Sequence, residues 1–169
     1  MTDSFQNIAV TSFPDIIKID FKSISNKYLK VILIHVFLVF LILFVALLIT
    51  DYSGVFKILE NTIWLYLIVF IVFIAVVAIK SIGFKKMKYV VREKDISYKK
   101  GVFFRSLTTV PFNRIQHIEI DEGPVSRFFN LVSLSVFTAG DSSDDLKISG
   151  LLKEEAQQIK EFISNKIDG

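Results

Sequence analysis

The chain has 169 residues, 52% of them hydrophobic and 22% charged, with a mean hydropathy of +0.53, 17 Phe and no Cys. A soluble domain of this size cannot bury so much apolar surface, and a disordered chain does not carry it. The lack of Cys excludes a disulfide-stapled fold and thiol chemistry, and two His leave little material for zinc.

Residues 1–30 read as an N-terminal segment on the cytoplasmic side. Met1 to Val10 is polar. After Pro14, DIIKIDFKSIS alternates with Ile17, Ile19 and Phe21 on one side, the pattern of a short strand lying on the membrane or on a soluble domain. Ser23 is the predicted cap of a helix that contains Ile24, Tyr28 and Val31 and runs on into the next segment. Lys27 and Lys30 would then extend along that helix toward water.

Residues 31–79 read as a helical hairpin. Val31 to Ile49 is nineteen residues without a formal charge, and Thr62 to Ile79 is eighteen more. Each approaches the roughly 20 residues that cross a bilayer as a helix. As two core helices of a soluble protein, runs apolar on every face would need the remaining roughly 90 residues to wrap both completely. A cleaved signal peptide fits poorly, because Asp3, Asp15 and Asp20 precede the first run and no small-x-small site follows it.

Eight basic residues between Lys80 and Lys100 face only Glu93 and Asp95, whereas the link 50–61 is nearly neutral. The positive-inside rule therefore puts both termini in the cytoplasm and the link outside, with Trp64 and Tyr66 near the outer interface. Phe56 and Ile58 would let the link rest on the membrane surface. His35 is the polar exception inside the first run. With no acidic partner in either span, it reads as an interfacial or packing residue rather than a proton relay. The spans also lack the charges and helix breaks of a transport path.

Residues 80–169 change character. Met87–Arg92, Asp95–Lys99, Val102–Val110 and Arg114–Asp121 read as four strands, the last with Gln116, Ile118 and Ile120 on one face and Ile115, His117 and Glu119 on the other. Gly123 and Pro124 stop it, and VSRFFN suits a helical turn. Val132–Thr138 alternates, Ala139 to Asp141 is a turn, and Leu146–Ser149 is a further short strand. Leu152, Ala156, Ile159 and Ile163, widened by Phe162 and Ile167, form the apolar stripe of a closing helix. Strands followed by one terminal helix imply a small curved sheet or sandwich with the helix covering an open end.

The stretches GVFFR (101–105), VPFNRIQ (110–116), GPVSRFFNL (123–131), VFTAG (136–140) and ISGL (148–151) carry a resemblance. In this order they are similar to the bacterial pleckstrin-homology-like membrane proteins, the YdbS-like group formerly catalogued as a domain of unknown function. The resemblance covers roughly Met87 to Ile163. It implies a two-helix transmembrane hairpin followed by a small mainly-β pleckstrin-homology-like domain closed by a C-terminal α-helix. It implies no cofactor and no settled activity, and a shared fold does not carry a ligand with it.

Arg114, Gln116, Gly123, Pro124 and Arg127 are therefore candidate positions of an interaction surface or a structural hydrogen-bond network. Arg114 and Gln116 are expected on one strand face, and Arg127 is expected to pair with Glu119, Asp121 or Glu122 or to donate to backbone carbonyls in that corner. Lys80, Lys85, Lys86 and Lys88, directly inside the second span, are the candidate lipid contacts. Gly140 and Gly150 read as turn residues.

Catalytic and metal sites are not expected. His117 stands on a strand without a nucleophile, and Asp141, Asp144 and Asp145 lack the twelve-residue calcium-loop pattern. GVFFRS and TAGDSS lack the Gly-Lys pair of a phosphate loop. Nucleic acid is not expected either, because residues 101–169 hold seven basic and ten acidic groups and the positive charge lies beside the membrane. The leading expectation is a non-catalytic, membrane-anchored interaction or scaffold module that meets other membrane proteins or copies of itself. Anionic lipid headgroup binding or sensing is the alternative, and an accessory subunit of a transport or envelope-stress complex is a third.

Overall fold

The computed structural model describes residues 20–54, 62–139 and 146–167. The readings for Met1–Val10, Ile17, Ile19, Phe56, Ile58, Gly140, Asp141, Asp144 and Asp145 lie outside these residues.

Helices α1 (Lys27–Tyr52) and α2 (Ile63–Phe84) form the hairpin, with 26 and 22 residues. At 1.5 Å per residue both exceed the roughly 30 Å of bilayer hydrocarbon. Each runs past its charge-free stretch at the cytoplasmic end expected from the charge pattern. None of the most apolar window of either helix is buried. Surface of that kind is stable against lipid, where the helix satisfies its own backbone polar groups. Phe40 meets Phe73 edge-on at 5.1 Å, and Phe44 meets Tyr66 at 5.8 Å. The Tyr66 hydroxyl donates to Asp51 Oδ2 at 3.1 Å and ties the link end of the hairpin. His35 donates Nδ1–H to the Val31 carbonyl of its own helix at 2.8 Å.

The remainder is two antiparallel sheets and a closing helix. Strands β1 (Lys22–Ser23), β2 (Lys88–Val91), β3 (Asp95–Lys100) and β4 (Ser106–Pro111) form the first sheet in that order. A 3-10 turn at Phe112–Arg114 leads into β5 (Ile115–Asp121), which with β6 (Leu131–Thr138) and β7 (Leu146–Leu152) forms the second. The short α3 (Pro124–Arg127) joins β5 to β6, and α4 (Lys153–Ile167) closes the domain. Ile96, Leu134, Ile148, Leu151 and Ile163 are fully buried between the sheets and α4. The two buried serines are satisfied: Ser97 Oγ lies 2.8 Å from Thr109 Oγ1, and Ser135 donates to Asp121 at 3.1 Å.

The expected elements are present with instructive shifts. The third strand begins at Ser106 rather than Val102, because Gly101 at φ +107° turns the chain into a loop. A Cβ on Gly101 would lie 1.8 Å from the Phe104 carbonyl oxygen. Arg114 belongs to the 3-10 turn, and a bulge at Gln116 shifts the register between Ile115 and His117. That extra residue reverses the parity, so Ile115 joins Ile118 in the core and Gln116 is exposed. Arg114 and Gln116 therefore do not share a strand face. Strand β7 continues to Leu152, which leaves Ala156, Ile159 and Ile163 as the buried stripe of α4, with Phe162 edge-on to Phe112 at 6.2 Å. Gly150 is a bulge residue within β7, at φ +85°, rather than a turn residue.

Among the described residues before the first span, those from Lys22 to Tyr28 pack with the domain. Ser23 lies in β1 opposite Lys88 and caps nothing; α1 starts after Asn26 without a side-chain cap. Ile24 is in the core at 3% exposure, and Tyr28, Leu29 and Ile32 pack against it. Ser25 N–H donates to the Gly150 carbonyl at 3.1 Å. The Lys22 ammonium and the Tyr89 hydroxyl both donate to Glu155 of α4, which joins three elements.

Candidate functional site

Strand direction sorts the candidates into two ends. The chain leaves α2 at Phe84 and enters β2 at Lys88, returns along β3 to Lys100, and turns through 101–105 into β4. The start of β2, the end of β3 and the start of β4 thus lie beside the hairpin. The end of β4, the 3-10 turn and the start of β5 lie at the far end, and β5 brings the chain back to α3, which touches α1.

Arg114 and Arg127 consequently lie at opposite ends of β5, a seven-residue strand that spans roughly 20 Å. The structure does not bring them into one site. The Arg114 carbonyl accepts from Ala139 N–H at 3.2 Å, and its side chain is exposed at the far end. Arg127 is paired with Glu122, with Nε 4.0 Å from Oε2, one of the three acids considered for it. Lys153 shares the same carboxylate at 3.5 Å. Gly123 and Pro124 form the start of α3, with Pro124 in the first turn, where its missing N–H costs nothing. The Gly123 carbonyl accepts from Arg127 N–H at 2.9 Å. These contacts link Gly123, Arg127, Glu122 and Lys153 at one corner of the domain.

The lysines converge more closely. Lys86, Lys99, Lys100 and Arg105 line a recess of about 110 Å³ around Gly101. Lys88 stands directly across β2–β3 from Lys99, both exposed. Like charges placed opposite each other across a ladder are destabilising, and among the described residues none of these five side chains has a carboxylate partner. The Lys100 ammonium sits 5.9 Å from the Tyr98 ring centroid. Burial, with a smaller electrostatic contribution from Tyr28, pushes the Tyr98 phenol up to about 12, so this ring stays neutral beneath the cation. Lys85 ends α2 and lines neither this recess nor its neighbour.

That neighbour is a larger recess of about 480 Å³ between the hairpin and the same loop, lined by Tyr28, Ile32, Ile79, Lys80, Val102 and Phe104 among others. Gly83 of α2 approaches the loop so closely that a Cβ there would meet Val102 Cγ2 at 3.2 Å. Phe103 and Phe104 are 78% and 94% exposed. Reading Val102–Val110 as one strand concealed this arrangement. Its signal in the sequence is the run Lys99-Lys100-Gly101-Val102-Phe103-Phe104-Arg105, in which a turn glycine separates two lysines from an apolar tip followed by an arginine.

His117 stacks on Phe137 at 4.3 Å and lies 3.5 Å from Glu119, on the exposed face of β5. Among the described residues no group of three His, Cys, Asp or Glu is placed to hold a metal ion.

Comparison with known proteins agrees with this architecture. The chain is 30% identical over 91 residues to the UPF0699 transmembrane protein YdbS of Bacillus subtilis (strain 168), covering 54% of this chain and 55% of that protein. It is 29% identical over 97 residues to the UPF0699 transmembrane protein YdbT of the same organism, covering 57% of this chain and 20% of that one. The match thus spans about half the length of one relative and a fifth of the other. No solved structure matches the chain. The model of the bacterial PH domain family matches residues 28–167, hairpin included. The chain belongs to the bacterial PH domain family.

Proposed function

We propose that this is a non-catalytic membrane module in which the hairpin holds a PH-like domain against the cytoplasmic leaflet, with its basic end on anionic lipid. The observation that carries this reading is the way the hairpin is joined to the domain. Strand β1, Ile24 and Tyr28 lie within the domain on one side of α1, and β2 follows α2 within four residues. The domain therefore cannot swing freely on a linker. Lys27, Lys30, Lys80, Lys85, Lys86, Lys88, Lys99, Lys100 and Arg105 all lie toward the hairpin end. Each basic residue near an anionic surface contributes about 1 kcal/mol of attraction. The charge distribution around the spans supports cytoplasmic termini.

Spin labels placed singly on Cys at Phe104, Ser126 and Glu93 test the reading in nanodiscs containing phosphatidylglycerol. The first two should show interfacial depth and low accessibility to an aqueous relaxant, and Glu93 should read as fully aqueous. Equal aqueous accessibility at all three sites overturns it.

A scaffold role is the second reading, and one observation favours it. Among the described residues β4 pairs with β3 alone, which leaves one edge of the first sheet open along Ser106–Pro111, with Leu107 exposed. An open edge accepts an added strand from a partner or a second copy. Crosslinking from a photoreactive residue at Thr109 in intact membranes should capture a defined protein; capture of lipid alone removes this reading.

A further inference from the structure

The basic and the apolar recess are separate cavities that share Lys100 and Gly101. The basic one has room for roughly four waters, which suits a phosphate and little more. Two of its cations, Lys99 and Lys100, lie on β3, and Lys86 and Arg105 lie in the connections just after α2 and just before β4. Lys88 adds its charge opposite Lys99. Keeping these groups together without a carboxylate has an electrostatic cost that a bound anion would remove. The adjoining recess opens between Ile32 and Ile79 of the two spans and Phe104 of the loop, so it faces the depth at which acyl chains begin.

From this adjacency we infer that the joined recesses hold one anionic phospholipid of the inner leaflet. Its phosphate accepts hydrogen bonds from Lys86, Lys99, Lys100 and Arg105, and one acyl chain lies along Ile32, Ile79 and Val102. Phe103 and Phe104 enter the interface beside it. The inference rests on the proposed position of the hairpin end at the leaflet and adds a defined site to it. Charge complementarity selects the lipid over an apolar peptide, and the spans that line the second recess select it over a soluble phosphate.

The test is native mass spectrometry of the full chain released from nanodiscs containing equal amounts of phosphatidylglycerol and phosphatidylcholine. The wild-type chain should retain one phosphatidylglycerol in clear preference. Lys99→Gln with Arg105→Gln should reduce that retention about 100-fold, two charge-assisted contacts being lost. Lys85→Gln with Lys94→Gln removes the same charge outside the recess and should lower retention only about fivefold, the share of generic attraction that Lys85 supplies. Phe103→Ser with Phe104→Ser should weaken retention of the lipid without changing direct binding of glycerol phosphate, which carries the headgroup chemistry without chains. Near-ultraviolet circular dichroism confirms folding, and Lys99→Arg should restore binding in the single-site series.

Equal loss in the two charge-matched pairs overturns the site while leaving the leaflet reading intact, since attraction would then be generic. Wild-type retention in the Lys99/Arg105 variant also overturns the site. Displacement of the lipid by glycerol phosphate at comparable concentration overturns the lipid assignment in favour of a soluble anion. Aqueous depth at Phe104 in the spin-label experiment is the separate result that removes the underlying reading.

Discussion

Gly150 presses against the ring of Tyr28: a Cβ at Gly150 would lie 2.4 Å from Tyr28 Cγ and 2.7 Å from Tyr28 Cβ. This is the point at which the first turn of α1 enters the domain, and Ser25 N–H donates to the Gly150 carbonyl beside it. At φ +85° Gly150 also adopts a backbone conformation that other residues reach only with strain.

Gly150→Ala should therefore destabilise the domain by about 1–3 kcal/mol, read as a lower denaturant midpoint in near-ultraviolet circular dichroism of the chain in micelles. Tyr28→Ala removes the contacts with the ring but keeps the close approach to its Cβ and the backbone strain. The two substitutions should couple by about 1 kcal/mol or more in a double-mutant cycle. Additivity would mean that the junction relaxes without cost.

Stability should fall in alkali. The Tyr98 phenol stands at about 12 in the folded domain against 10.0 unfolded, chiefly through burial. Tyr89 is raised in the same direction by burial and by its hydrogen bond to Glu155. Both groups favour the neutral form in the native state. Their contribution is thus complete below pH 10 and is lost as pH climbs toward 12. Denaturant midpoints measured from pH 8 to 12 should decline above pH 10, less steeply in Tyr98→Phe.

Glu155 accepts from Lys22 and from Tyr89, but the two contacts differ in worth. Glu155→Ala leaves the largely buried Tyr89 hydroxyl without its acceptor and should cost about 1–3 kcal/mol. Lys22 is 68% exposed, so Lys22→Ala should cost about 0–1 kcal/mol. Comparable losses in the two variants would show that β1 docking, and not the phenol, depends on this carboxylate.

Orientation is accessible because the chain has no Cys. Ser53→Cys should react with an impermeant maleimide on intact cells, and Glu93→Cys only after permeabilisation. The reverse pattern would place the domain outside.

Much of the fold was legible in the sequence because its signals are local. Two long charge-free runs specify helices that must find lipid, and the four-three-four spacing of Leu152, Ala156, Ile159 and Ile163 marks α4 even though Leu152 ends a strand. The details that escaped depend on contacts across the chain. The bulge at Gln116 breaks a parity that looked regular, and only the pairing with β6 reveals it. Gly101 ends β3 and exposes Phe103 and Phe104, residues whose β-propensity favours a strand. For the candidate site, Lys86 and Lys88 were identifiable from their place beside the second span, and Lys80 borders the adjoining recess. Lys99, Lys100 and Arg105 required the β3–β4 turn to bring them beside Lys86, and Arg114 and Arg127 were separated by the length of β5.

The pairing of β1 with β2 joins residues on either side of the whole hairpin, Lys22 opposite Tyr89. The polypeptide can complete that sheet edge only when the segments before α1 and after α2 are in the same compartment. A chain with a single span inserted would strand β1, Ile24 and Tyr28 across the bilayer from the rest of their core. Its domain would lack an edge strand and expose Tyr89. Closure of the small domain is thus coupled to insertion of both spans: only a hairpin whose two ends share a compartment can complete the sheet.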